Sequence, residues 1–589
     1  MLVAAVFVFT VFGAQLLRVQ AFDASSVQAA ALSKRLTTVT TPALRGEILD
    51  RNGVVLASTV ERKTVTVDQT AVPAYIKRVD GTRRLVGVVG AAQDLAPLLG
   101  TTPEALAPAL MGTSQYRVIA KDVTPLVWRQ IAALGIPGVY SETTTSRVYP
   151  AAMSTAPLVG FVQADGTAGG GLEVMEDQVL KGSPGKQVFE RSGTGTAIPW
   201  AQHEDVPAVD GETVNLTIDA DLQWYAQNQI ANMVAQSQAQ SGYVIVQEVK
   251  TGKLRAVASY PTFDPTDVSK ASPSALRNGA FQDVYEPGST GKVMSMAASI
   301  DTGTVTPTTS LIVPNRLPRS DTSFKDDIDH PTLNLTVAGA LAMSSNIGTM
   351  LATEKVAPAT MESYFRKFGI GSASGIDYPG ESAGILAASG QWSGSQRYTI
   401  LFGQGYSLNA IQAAGVYQTI ANGGVRIPAS LIESTADASG KVTPAAQPQG
   451  TRVVSQNTAT QVSQMLEEVV GPHGTAPKAK IDGYRVAGKT GTANRYDETV
   501  GGYNGYTASF IGYAPADDPQ FVVAVTLQKP ISGHFGGQLG APVFKDVMTY
   551  ALQRYQVPPT GTAAPVIPLN SSDAGWDPND PAVLNGEKR

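Results

Sequence analysis

The sequence predicts an α+β protein built in series: an amino-terminal transmembrane helix, a β-rich unit, and an α+β domain whose antiparallel sheet is flanked by helices. Three observations predict it. The first seventeen residues carry no charge, short β-like runs broken by Gly and Pro fill the chain to about residue 205, and beyond that point strands come first, helices next and strands last. The limits are 1–21 for the anchor, 22–205 for the β-rich unit, 206–556 for the α+β domain and 557–589 for a tail. A chain of 589 residues exceeds the ~100–200 of an average domain several-fold, and 43% apolar residues suffice for large cores.

Each element has a local reason. Residues 1–17 form an apolar run, followed from Arg18 by an amphipathic stretch. At ~1.5 Å per residue, a helix of that length falls just short of a ~30 Å hydrocarbon core. A cleaved signal peptide would show a basic leader and a small-residue cleavage site; this run has neither and ends in Gln15-Leu16-Leu17-Arg18. The expected reading is a single-pass anchor in the cell membrane, with the rest of the chain extracytoplasmic. In the β-rich unit, 63–67 and 117–120 read as strands and 103–111 as a helix. The next domain opens with an alternating strand at 213–219 and a helix at 221–237. Residues 243–248 and 254–259 flank Lys250-Thr251-Gly252 as a β-hairpin. Helices are expected at 293–299, 336–342, 409–420 and 459–470, and strands return at 484–487, 508–513 and 521–527. Pro, Asn, Asp and Gly enrich 557–589, which reads as a disordered tail.

Composition narrows the chemistry. Cysteine is absent, which excludes disulfides, thiolate zinc sites, iron–sulfur clusters and cysteine nucleophiles. Lys plus Arg number 44 against 49 Asp plus Glu, a net charge of −5, so no whole-molecule field attracts nucleic acid. His203, His330, His473 and His534 lie far apart in sequence and give little support to a metal centre or a Ser–His–Asp triad.

Three short patterns suggest a serine acyltransferase: Ser-x-x-Lys, Ser-x-Asn and Lys-Thr-Gly. Each recurs, so counting decides nothing. Ser-x-x-Lys stands at Ser183–Lys186 and Ser289–Lys292, Ser-x-Asn at Ser344, Ser407 and Ser455, and Lys-Thr-Gly at Lys250 and Lys489. A lysine that activates a serine three positions earlier needs a helical turn, which brings i and i+3 to one face. Pro184-Gly185 makes the first pair a loop, whereas Ser289 precedes a helix-compatible run. There the nucleophile meets the amino end of a helix, where backbone N–H groups stabilise oxyanion charge. Lys250 falls in a hairpin turn, but Lys489 follows a strand-like run. Gly491 would leave room for a substrate backbone, and Thr490 and Thr492 can bond a carboxylate. Ser344 ends an apolar helix-like run at a polar break, which suits a loop presenting side chains to a cleft.

The ordered set Ser289-x-x-Lys292, Ser344-x-Asn346, Lys489-Thr-Gly-Thr492 resembles the penicillin-binding transpeptidase family. Tyr285-Glu-Pro-Gly-Ser-Thr290, Pro261-Thr-Phe-Asp-Pro265, Gly403-Gln-Gly405 and Ala421-Asn-Gly-Gly424 extend the likeness. Arg45-Gly-Glu-Ile-Leu-Asp-Arg-Asn-Gly53 and Gly171-Leu-Glu173 look like the pedestal (dimerisation) domain of class B, monofunctional members, and the division-specific FtsI-type branch in particular. The resemblance implies a D,D-transpeptidase that cross-links peptidoglycan stem peptides ending in D-Ala-D-Ala and is acylated by β-lactams. It makes Ser289 the nucleophile and Lys292 its base, with Ser344 relaying a proton and Asn346 holding the donor amide. Lys489 would supply positive potential and Thr490 and Thr492 would bind the terminal carboxylate, with Gly491 also in the substrate-binding set, and the Ser289 and Thr492 N–H groups would form the oxyanion hole. No metal or cofactor is implied. Implied partners are a multi-pass glycan polymerase and division proteins.

Alternatives stay open. A side-wall class B enzyme or a D,D-carboxypeptidase carries the same motifs. A β-lactam sensor would need a cytoplasmic effector, and a divisome scaffold would not need Ser289 and Lys292. A class A β-lactamase would be far shorter, and a bifunctional synthase would carry a glycosyltransferase domain.

Overall fold

The computed structural model describes residues 1–18, 36–190, 203–497 and 499–571. Leu2–Leu17 form a helix with every side chain exposed. Its 16 residues span about 24 Å, and among the described residues no helix is long and apolar enough to cross a membrane. The amphipathic stretch expected after Arg18 lies outside the described residues.

In the β-rich unit, the strand predicted at 63–67 is the end of a longer one, Val55–Val67, paired antiparallel with Val139–Val148 and Arg117–Val123. Helices Gly87–Leu99, Pro103–Leu110 and Pro125–Ala133 complete the unit around Val65, Val67, Leu95, Leu110 and Ile131. Thr102 caps the second of them by accepting the Ala105 N–H, and Pro103 pre-sets its first turn.

Thr213–Leu216, expected to open the following domain, belongs to both units. It pairs in parallel with Ile48–Leu49 and antiparallel with Ile432–Ala436, so one seven-stranded sheet runs through the junction. The Arg45–Gly53 phrase builds this joint. A Cβ on Gly46 would lie 1.9 Å from the Glu212 carbonyl oxygen, so only glycine lets the strands approach. Asp50 accepts the N–H groups of Asn52 and Val54 at 2.7 and 2.8 Å, and that of Ala220, which opens the helix Ala220–Ser237, at 3.0 Å. Arg45 and Arg147 meet on the buried Glu173 at 2.6 and 2.7 Å.

The central sheet of the larger domain is antiparallel, in the order Leu254–Tyr260, Ser241–Glu248, Phe521–Gln528, Gly502–Ala514, Ala487–Asp497. The predicted hairpin and the closure by chain ends are both present. Phe521–Gln528 is buried throughout because both sheet faces are covered. Ala220–Ser237 and Gly536–Arg554 pack together on one side, and Ala410–Ala421 packs on the other. The predicted strand at 484–487 is displaced: it starts at Ala487 and carries Lys489-Thr-Gly-Thr492 inside the sheet's edge. The predicted middle helices are present as Lys292–Asp301, Val337–Ala342, Ala410–Ala421 and Gln456–Val470.

The expected disordered tail needs correction in its first half. Residues 557–571 form a strap along the domain: Val557, Ile567 and Leu569 pack on the core. The Leu569 carbonyl accepts the Thr336 N–H at 3.0 Å, and Ser571 N–H donates to Asn334 at 3.0 Å. A Cβ on Gly339 would sit 1.8 Å from the Leu569 oxygen. A Pro-rich segment lacks donors for regular structure, but its carbonyls still accept and its side chains still bury. Residues 572–589 of the tail lie outside the described residues.

Candidate active site

Ser289 lies in a 3-10 turn, Gly288–Gly291, that runs into the helix Lys292–Asp301. With about three residues per turn, such a turn eclipses positions 289 and 292, a tighter alignment than an α-helix gives. Two contacts fix it. The Gly288 N–H donates to Gly403 at 2.9 Å, and a Cβ on Gly403 would lie 1.8 Å from the Gly288 oxygen; Gly405 N–H donates to the Glu286 carboxylate at 2.7 Å. The Gly403-Gln-Gly405 phrase is therefore the support of the Ser289 turn.

Lys292 is fully buried, and its amine donates to the Ser344 carbonyl and, at 3.4 Å, to the Ser344 hydroxyl. Burial pulls its pKa down to about 8, against the opposing pull of Asp327 and Asp326. Lys489 is equally buried and donates to Thr490 Oγ1 at 3.1 Å. Burial first, and the neighbouring Lys292 second, hold its amine well below the usual lysine range. Two amines in one dry neighbourhood oppose each other's charge.

Ser344 stands on the turn between Val337–Ala342 and Asn346–Thr353 with φ of +64°, a left-handed backbone rare for a residue with a side chain. The turn is held by a residue that sequence reasoning missed. Asp326 accepts the Ser345 hydroxyl and the N–H groups of Asn346 and Ile347 at 2.6, 2.6 and 2.9 Å, and His330 Nε2 lies 3.1 Å away. Burial works to raise the Asp326 pKa, but these bonds and Lys292 outweigh it and lower the net value. His330 has the opposite sign: burial favours its neutral form, yet Asp326 and the Pro331 carbonyl raise it. No local motif marks this pair, because its partners are some twenty residues on in a separate helix turn.

A cavity of about 480 Å³ joins these parts. Ser289, Ser344, Thr490 and Thr492 line it, and Thr475, bonded to Thr490 at 2.8 Å, extends it. Lys292 and Lys489 lie behind its wall. Asn346 stands beside it, with its amide on the Lys325 carbonyl at 3.4 Å. Gly491 has a different reason from the one expected. A Cβ there would meet Ser509 Oγ at 2.3 Å and the Pro287 oxygen and Thr290 methyl at 3.0 Å, so the missing side chain admits the Ser289 turn rather than a substrate backbone. The Thr492 carbonyl comes within 3.1 Å of where a Gly288 Cβ would stand, so the backbone of Thr492 faces that turn.

The other copies of each pattern are elsewhere in the fold. Ser183, bridged to Val209, lies just before the strand Gly185–Glu190, and Lys186 is an exposed residue within it. Asn409 and Ser455 are helix caps, and Lys250-Thr-Gly252 is the hairpin turn. Such an arrangement can activate a hydroxyl through a neutral amine and hold an acyl group beside two threonine hydroxyls.

Comparison with known proteins gives a consistent picture. Residues 242–549 match the penicillin binding protein transpeptidase domain, and residues 40–216 the penicillin-binding protein dimerisation domain. Penicillin-binding protein PbpB of Mycolicibacterium smegmatis is 34% identical over 594 residues, covering 96% of this chain and 91% of that one. Peptidoglycan D,D-transpeptidase FtsI of Escherichia coli K12 is 32% identical over 523 residues, covering 87% and 84%. The crystal structure of penicillin binding protein 3 from Mycobacterium tuberculosis, complexed with ampicillin, superposes with a TM-score of 0.71 at 30% identity, covering 91% of this chain and 100% of that one.

Proposed function

This chain belongs to the class B penicillin-binding protein family, and on that premise we propose that it is a peptidoglycan D,D-transpeptidase working through a Ser289 acyl-enzyme. One observation carries the reading: Ser289 lies in a 3-10 turn that Lys292 closes by donating its backbone N–H to the Ser289 carbonyl, with the buried Lys292 amine on Ser344 and close enough to Lys489 to depress its charge.

In this reading the site residues divide the chemistry between them. Neutral Lys292 takes the Ser289 proton as Oγ attacks the penultimate D-Ala carbonyl of a donor stem peptide. The new C–O bond forms, the oxyanion is held by the Ser289 and Thr492 N–H groups, and the proton passes through Ser344 to the departing D-Ala nitrogen as the C–N bond breaks. Thr490 and Thr492 receive the donor's terminal carboxylate, and Asn346 offers its amide to the donor backbone. That carboxylate favours the charged form of Lys489, which in turn keeps Lys292 neutral, so donor binding itself prepares the base. An amine from a second stem then closes the cross-link. β-Lactams, which mimic the D-Ala-D-Ala end, acylate the same oxygen.

The apolar helix Leu2–Leu17 has every side chain exposed among the described residues and is proposed as a membrane anchor, with the two domains extracytoplasmic. The pedestal phrases favour a role in division over side-wall growth, with a glycan polymerase contacting anchor and pedestal. Labelling with a fluorescent penicillin followed by peptide mapping tests the core of the proposal: label is expected on the Ser289 peptide, and label elsewhere overturns it. Dimeric rather than trimmed muropeptides separate transpeptidase from carboxypeptidase, septal rather than lateral position of a fluorescent fusion tests the division role, and carbonate extraction of membranes tests the anchor.

A further inference from the structure

The cavity has two charged walls that acylation leaves unused. Asp327 lines it beside Asp326, whose bonds to Ser345 and Asn346 fix this stretch next to Ser344. Lys478 lines it in the 3-10 turn Pro477–Ala479, just after Thr475, which is bonded to Thr490. Both charged residues are exposed, and neither has an ion-pair partner among the described residues. The Asp327 charge reaches inward as well, opposing the loss of charge at both Lys292 and Lys489.

Donor and acceptor differ in the same sense as the walls. The donor ends in a carboxylate that belongs on the Thr490 side, near Lys478. The acceptor is an amine, and an alkyl amine with a pKa of ~10.4 arrives as an ammonium at neutral pH. Water, its competitor, is uncharged. We infer that Asp327 selects the acceptor: its carboxylate gathers the cationic amine at the Ser344 wall and biases the acyl-enzyme toward aminolysis over hydrolysis. The inference rests on the acyl-enzyme reading above. The gathered ammonium gives one proton to solvent. The neutral amine then attacks the acyl carbon, the C–N bond forms as the C–Oγ bond breaks, and the second proton passes through Lys292 to Ser289 Oγ. Steering of this kind enriches only charged partners and weakens with salt.

The test uses the full chain with a depsipeptide donor ending in D-lactate, whose release counts acylation. Two acceptors compete with water: Nα-acetyl-lysinamide, which is cationic, and hydroxylamine, which is uncharged at neutral pH. The measured quantity is the ratio of aminolysis product to hydrolysis product, in which changes in acylation cancel. In D327N the lysinamide ratio is expected to fall about fivefold while the hydroxylamine ratio stays within about twofold of wild type, and D327E is expected to retain at least about half of the lysinamide ratio. An unchanged lysinamide ratio, or an equal fall for both acceptors, overturns the inference and leaves the transpeptidase reading standing. Absence of D-lactate release by the wild-type chain would instead sink that reading, and this inference with it.

Discussion

In the pedestal, the Glu173 carboxylate is fully buried and meets Arg45 at 2.6 Å and Arg147 at 2.7 Å. In the larger domain, Lys292 and Lys489 are just as buried, but among the described residues no carboxylate pairs with either. The same burial therefore has two results. Oppositely charged partners lock the Arg45 and Gly171-Leu-Glu173 segments into one joint, while the like-charged amines have their charged forms disfavoured and yield a base whose neutral form comes within reach near physiological pH. What separates a structural ionic cluster from a reactive one is the counter-ion, not the depth.

The comparison can be broken most directly at the nucleophile. S289A is expected to abolish covalent penicillin labelling, a loss of at least about 10³-fold in acylation, with the melting temperature held; labelling that persists would move the chemistry to another residue. Stability should divide the two clusters next. E173Q strands two buried arginines and is expected to cost about 3–5 kcal/mol in urea unfolding, whereas K292M, which removes a buried amine, is expected to cost less than about 1 kcal/mol while abolishing acylation. Equal costs would erase the distinction.

Titration sharpens it further. Lys292 acts neutral with a pKa of about 8, so the acylation rate is expected to rise about tenfold from pH 7 to 9, and a flat profile would remove Lys292 as the base. The sign for stability follows from proton counts. Between about 8 and the ordinary 10.5 the unfolded chain binds a proton at Lys292 that the folded one does not, so stability rises with pH across that window, and K292M should reduce the slope to the part that Lys489 contributes. The smallest effect is at the strap. G339A pushes a methyl into the Leu569 carbonyl and is expected to cost about 1–3 kcal/mol; no change in unfolding midpoint would mean that residues 557–571 add little to the fold.

The sequence was legible where the governing physics is local. An uncharged run, alternation in the hairpin strands, and the 3.6-residue period of the helices are set by nearest neighbours, and all were readable within a residue or a few. So was the choice of Ser289 over Ser183, since Pro184-Gly185 forbids a helical turn. By itself the sequence thus determined the order of elements and the lack of thiol chemistry, and it singled out a serine and two lysines that the fold brings into one neighbourhood. Only the tertiary structure decided the rest. It joined residues 48–49, 213–216 and 432–436 in one sheet, set Asp326 and His330 under the Ser344 turn, and assigned the gap at Gly491 to the Ser289 turn. It also laid a Pro-rich segment against Gly339. These facts depend on groups brought together from distant parts of the chain, and a carboxylate at bonding distance, or its absence beside a buried amine, leaves no trace in local periodicity.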